Sequence, residues 1–122
     1  SVRACILKPG SKIISERLVD LIYPDDDIFD AMAETLYEKN VQNVAFRFVT
    51  EHFKTGKTID VYVGFGLQEV EHNREITKAL ANYFDTDEAF DIFGPCVIFA
   101  IFDNDIPVDF TGSDFNSLFY NL

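Results

Sequence analysis

Basic residues run out two thirds of the way along this chain. Lys78 is the last of them. Residues 1–78 hold all 10 Lys and Arg with 13 acidic residues, and residues 79–122 hold 8 acidic residues and no Lys or Arg. A net charge of −11 distributed in this way argues against direct binding to nucleic acid or to an acidic membrane surface, and it favours basic proteins as partners, nucleic-acid-binding proteins among them. Cysteine is almost as scarce. Two residues, Cys5 and Cys96, are too few for a disulfide scaffold. Each sits within an apolar run, so both read as buried, reduced core thiols, with a bond between adjacent strands as the alternative. No apolar run approaches the ~18 residues of a membrane span. No basic segment followed by an apolar one opens the chain, so no signal peptide is expected and a cytoplasmic, reducing setting follows.

Apolar and aromatic material is plentiful. Hydrophobic residues make up 48% of the 122, and 13 are Phe, too much for a disordered chain of this charge. The length suits one domain, 1–122, with one core and no staples. No repeat, low-complexity stretch or compositional break marks a second domain.

The pattern predicts an α+β fold: an antiparallel or mixed sheet with two main helices and a short C-terminal helix. Val2 to Leu7 reads as a buried strand, and Lys8-Pro9-Gly10-Ser11 as a turn. Ile13-Ile14 and Leu18 to Tyr23 read as short return strands of open register. Beyond Pro24, Asp25-Asp26-Asp27 leads into Ile28, Phe29, Met32, Ala33, Leu36 and Tyr37, one helical face that Asn40 stops. Val44, Phe46 and Phe48, then Ile59, Val61, Val63 and Phe65, alternate as the two strands of a hairpin. Asn73 is the expected N-cap of a second helix, with Ile76, Ala79, Leu80, Tyr83 and Phe84 as its buried face. Cys96 to Phe102 reads as a central strand, and Pro107 argues against another one soon after. Ser113 is the expected cap of the terminal helix, which lines up Phe115, Leu118, Phe119 and Leu122.

Chemical motifs are weak. Gly56-Lys57-Thr58 has the ending of a phosphate-binding loop, but Glu51 stands where that loop needs its first Gly, and a strand rather than a helix follows. His52 and His72 lack the spaced ligand set that zinc requires and read as surface histidines. Asp103-Asn104-Asp105 with Asp109 resembles half of a calcium loop without its turn Gly or closing Glu, and reads as an Asp-rich turn. No nucleophile–base arrangement is legible. The chain is therefore expected to be non-catalytic, with no cofactor and no metal.

Lys8-Pro9-Gly10 after the first strand, Asn73-Arg74 with Thr77, the Ile92-Phe93-Gly94-Pro95-Cys96-Val97-Ile98 run and a Thr-x-x-Asp-Phe ending together resemble a family of small uncharacterised domains of bacteriophages and large DNA viruses. The similarity spans nearly the whole chain apart from residues 39–66. It implies a viral or mobile-element setting inside an infected cell and transfers no catalytic residue.

Two functions from different classes remain. One is an acidic interaction protein that imitates nucleic-acid phosphates and blocks a basic host protein through Asp85, Asp87, Glu88, Asp91, Asp103, Asp105 and Asp109. The other is a small structural or oligomerising module that rests on the apolar segment Phe110 to Leu122 and the two apolar strands, its acidity serving only solubility; the plainer reading of that segment is a helix docked on the chain's own core.

Overall fold

A computed structural model describes residues 2–19, 43–51, 56, 58–66, 71–86, 91–102 and 106–121. In chain order these form strands β1 (Val2–Leu7), β2 (Ser15–Val19), β3 (Asn43–Glu51) and β4 (Thr58–Gly66), helix α1 (Arg74–Tyr83), strands β5 (Cys96–Phe102) and β6 (Ile106–Val108), and helix α2 (Gly112–Tyr120). The chain is an α+β protein in which every strand pairing among the described residues is antiparallel. The helix expected beyond Pro24 lies outside the described residues.

The sheet runs β2-β1-β5-β4-β3. β4 pairs with the whole length of β5, from Phe65↔Cys96 to Ile59↔Phe102. The opposite side of β5 is shared: β1 takes Cys96 to Ile98, and β6 takes Ala100 to Phe102. This explains why Cys96 to Phe102 reads as an unbroken apolar run. Its odd and even residues line opposite faces of the sheet, and both faces are buried. Cys96, Ile98 and Ala100 join Cys5, Leu7, Ile59, Val61 and Val63 beneath the helices, while Val97, Phe99 and Ile101 pack with Ala4 and Ile6 on the other face.

α1 begins where expected. Asn73 is its N-cap, and Ile76, Ala79 and Leu80 are fully buried against the sheet. Phe84 falls just past the helix as the C-cap and is 39% exposed, so the buried face ends one residue sooner than the periodicity indicated. α2 is capped by Thr111 rather than Ser113. Thr111 accepts from the Asp114 N–H, and the Asp114 carboxylate accepts from the Thr111 N–H at 2.8 Å, a capping box. Glu16 of β2 takes the next orphan donor, the Gly112 N–H, at 3.1 Å.

Two strand assignments change. The return strand is Ser15–Val19, and Ile13 and Ile14 belong to the turn before it. β6 went unforeseen: it is three residues long and contains Pro107, which a short strand lying beside only half of β5 accommodates.

Candidate functional site

The seven carboxylates singled out from the sequence divide into four outside the described residues (Asp87, Glu88, Asp103 and Asp105) and three within them. Those three occupy separate places in the fold. Asp109 serves the fold: its Oδ1 accepts the Arg3 N–H at 2.7 Å, and the next residue, Phe110, donates its own N–H to the Arg3 carbonyl. Asp91 lies beside the start of α1, with Oδ1 3.5 Å from His72 Nε2. Asp85 lies just beyond the end of α1. A helix of ten residues separates the last two, about 15 Å at 1.5 Å per residue.

The start of α1 is an organising point of the fold. Residues 71–73 run antiparallel to 92–94, through Asn73 N–H to Ile92 O and Gly94 N–H to Glu71 O. The fully buried Asn73 side chain donates to the Leu7 and Gly94 carbonyls at 3.1 and 2.9 Å and accepts from the Ile76 N–H. Thr77 Oγ1 accepts the Ile92 N–H and sits 3.3 Å from His72 Nε2, whose ring packs on Phe93. Asn73 and Thr77 thus hold the segment before β5 against the helix. Their roles are structural.

The end of α1 has a different character. Thr86 N–H bonds the Ala81 carbonyl and Asp85 N–H bonds the Asn82 carbonyl, the two hydrogen bonds of a Schellman cap. Asp85 occupies the left-handed position of that cap at φ 49°, where glycine is the usual residue. An aspartate there costs about 1 kcal/mol in backbone strain, and its charge meets the negative end of the helix, a further ~0.3–1 kcal/mol. Neither α1 nor α2 carries a basic residue in its last turn. The two ends meet, because Asn82 Nδ2 donates to the carbonyl of Phe119 in the last turn of α2. Phe84 packs against Phe48 and Tyr83, with ring centroids 5.3 and 4.9 Å apart. An open recess of about 410 Å³ at the end of α1 is lined by Lys78, Ala81, Asn82, Asp85 and Thr86, with Phe84 outside its lining. A second recess, about 450 Å³, lies between the β1–β2 turn and the start of α1 and is lined by Gly10, Lys12, Glu71, His72, Arg74 and Glu75.

No family model, curated protein or solved structure matches this chain.

The remaining candidates resolve simply. Both cysteines are free and buried. They face the same side of the sheet but are out of register by two residues, since Cys5 opposes Ile98 and Cys96 opposes Leu7. Such diagonal neighbours are about 7–8 Å apart, too far for an S–S bond without backbone movement. Burial, with the nearby carboxylates of Glu16 and Asp114, pushes the Cys5 thiol up to about 12, and burial pushes Cys96 higher still. The nucleophilic thiolate is therefore suppressed at both. Strand β4 begins at Thr58, where a phosphate-binding loop would open a helix. His52, Lys57 and the Asp103–Asp105 turn lie outside the described residues. Among the described residues no three His, Cys, Asp or Glu side chains cluster as metal ligands would, and no helix is long and apolar enough to cross a membrane. Asp114, the acid of the Thr-x-x-Asp-Phe ending, is buried within its capping box with Thr111.

Proposed function

We propose that this chain is a non-catalytic acidic interaction protein that binds a basic protein partner inside the cell. A protein that itself binds nucleic acid suits this role, with the chain's carboxylates standing where phosphates would. The viral or phage setting implied by the resemblance belongs to the same proposal. One observation carries the reading: beyond Lys78 there is no cationic side chain, and neither helix has a base in its last turn to offset its negative end. Such a surface attracts a basic partner over roughly a Debye length, about 8–10 Å at physiological salt. It also releases that partner's bound anions and gives a salt-dependent affinity.

Of the carboxylates proposed to make contact, Asp85 and Asp91 are exposed at opposite ends of α1, and Asp109 is exposed while also holding β1. The alternative, a structural or oligomerising module, rests on the apolar C-terminal segment and the two apolar strands. Phe110, Phe115 and Phe119 are 1–3% exposed and belong to the chain's own core. The C-terminal helix is thus docked on the chain's own core, the plainer reading of that segment.

The test is displacement of duplex DNA from a basic DNA-binding protein by the wild-type chain and by a variant carrying Asn at positions 85, 87, 91, 103, 105 and 109 and Gln at 88. An Asn at position 109 retains the oxygen that accepts the Arg3 N–H. Displacement by the wild type alone is the expected result. Equal displacement by the neutral variant, or none by either, refutes the proposal.

A further inference from the structure

We propose that the end of α1, centred on Asp85 and Phe84, is the docking point for an arginine side chain of the basic partner. This rests on the function proposed above and names one contact within it. Asp85 is exposed and opposes both its backbone conformation and the adjacent helix end. Positions that break local rules in this way are where functional residues concentrate. Among the described residues its carboxylate has no partner, and Lys78, the one cation lining the same recess, forms no ion pair with it. A cation arriving here meets the Asp85 carboxylate and the adjoining ends of two helices that carry no basic residue in their last turns.

Phe84 favours arginine over other cations. The ring has edge contacts with Phe48 and Tyr83 and is still 39% exposed, and Phe84 directly precedes Asp85 in the chain. A guanidinium can donate two N–H groups to a carboxylate while its plane lies on an aromatic ring, and an ammonium does this less well. The open recess of about 410 Å³ leaves room beside the Asp85 carboxylate.

The experiment is titration of the full chain with a fluorescent nine-residue oligo-arginine peptide, with oligo-lysine of equal length as the comparison. The wild type should bind oligo-arginine more tightly than oligo-lysine. Asp85→Asn should weaken oligo-arginine binding about tenfold, as loss of a charge-assisted hydrogen bond does, and Phe84→Leu about threefold, by removing the ring face while retaining bulk. Lys78→Gln should tighten binding. Asp85→Gly supplies a variant whose folding is not in question: it should raise the melting temperature while still weakening binding. Wild-type binding with Asp85→Asn, Asp85→Gly and Phe84→Leu all unchanged overturns the docking point and leaves the acidic-interaction reading standing. Equal affinity for the two peptides overturns the role of Phe84. No binding of either peptide by the wild type overturns both the docking point and the reading beneath it.

Discussion

Asn73 offers the sharpest test of how this fold is held together. Its side chain is fully buried and joins three segments: β1 through the Leu7 carbonyl, the segment before β5 through the Gly94 carbonyl, and the first turn of α1 through the Ile76 N–H. Asn73→Ala removes a helix cap, worth about 1 kcal/mol, and two buried hydrogen bonds, each worth about 1–1.5 kcal/mol. The expected loss is about 3–4 kcal/mol, a large share of the ~5–15 kcal/mol that stabilises an ordinary domain. In urea, with a slope of about 1–3 kcal/mol/M, the midpoint should fall by about 2 M with the slope unchanged. Asn73→Asp discriminates further. Aspartate caps helices as well as asparagine does, and its charge suits a helix start. Here its second oxygen would face two carbonyl oxygens in a buried site, so Asp should cost at least as much as Ala. An Asn73→Asp variant as stable as the wild type would show that Asn73 is only a cap and would refute the three-way tether.

Other consequences follow from particular contacts. Thr111→Ala should cost about 1 kcal/mol in urea unfolding by opening the α2 capping box. Phe119→Ala should cost about 3–5 kcal/mol, because its ring is buried among Phe48, Tyr83 and Phe115; truncation after Gly112 should leave the chain unfolded rather than monomeric and folded. A thiol reagent at pH 8 should label Cys5 and Cys96 only as fast as the chain unfolds. Both thiols ionise at higher pH in the folded chain than in the unfolded one. The contribution of the two thiols to stability should therefore be level below pH 9 and fall as pH rises from about 9 towards about 12, and replacing both cysteines by Ala should flatten that fall.

The parts of this architecture legible in the sequence are those that local pattern dictates. Alternation marked β4, unbroken apolarity marked β5, and a capping Asn before an i, i+3, i+4 face marked α1. β6 was not legible, because a three-residue strand holding Pro107 exists only through the β5 edge that β1 leaves open. The start of β2 at Ser15 was misplaced for a related reason: its exposed residues carry no periodic signal, and its register comes from β1. The candidate site was legible only as charge. The sequence shows that residues 79–122 carry no cation, but not that Asp109 bonds β1, that Asp91 faces His72, or that Asp85 takes a glycine position at a helix end. Those distinctions depend on tertiary neighbours. They turn a run of equivalent acids into one residue that supports the fold, one beside a histidine and one that strains the cap it sits in.

The most direct test of an acidic binding surface is the salt dependence of affinity for a basic DNA-binding protein, measured by titration from 50 to 300 mM NaCl with the wild-type chain and the seven-position neutral variant. The account predicts that log affinity falls linearly with log salt concentration for the wild type and that the neutral variant shows neither the affinity nor the slope. Binding that ignores salt and survives neutralisation would show that acidity is incidental to this protein's role.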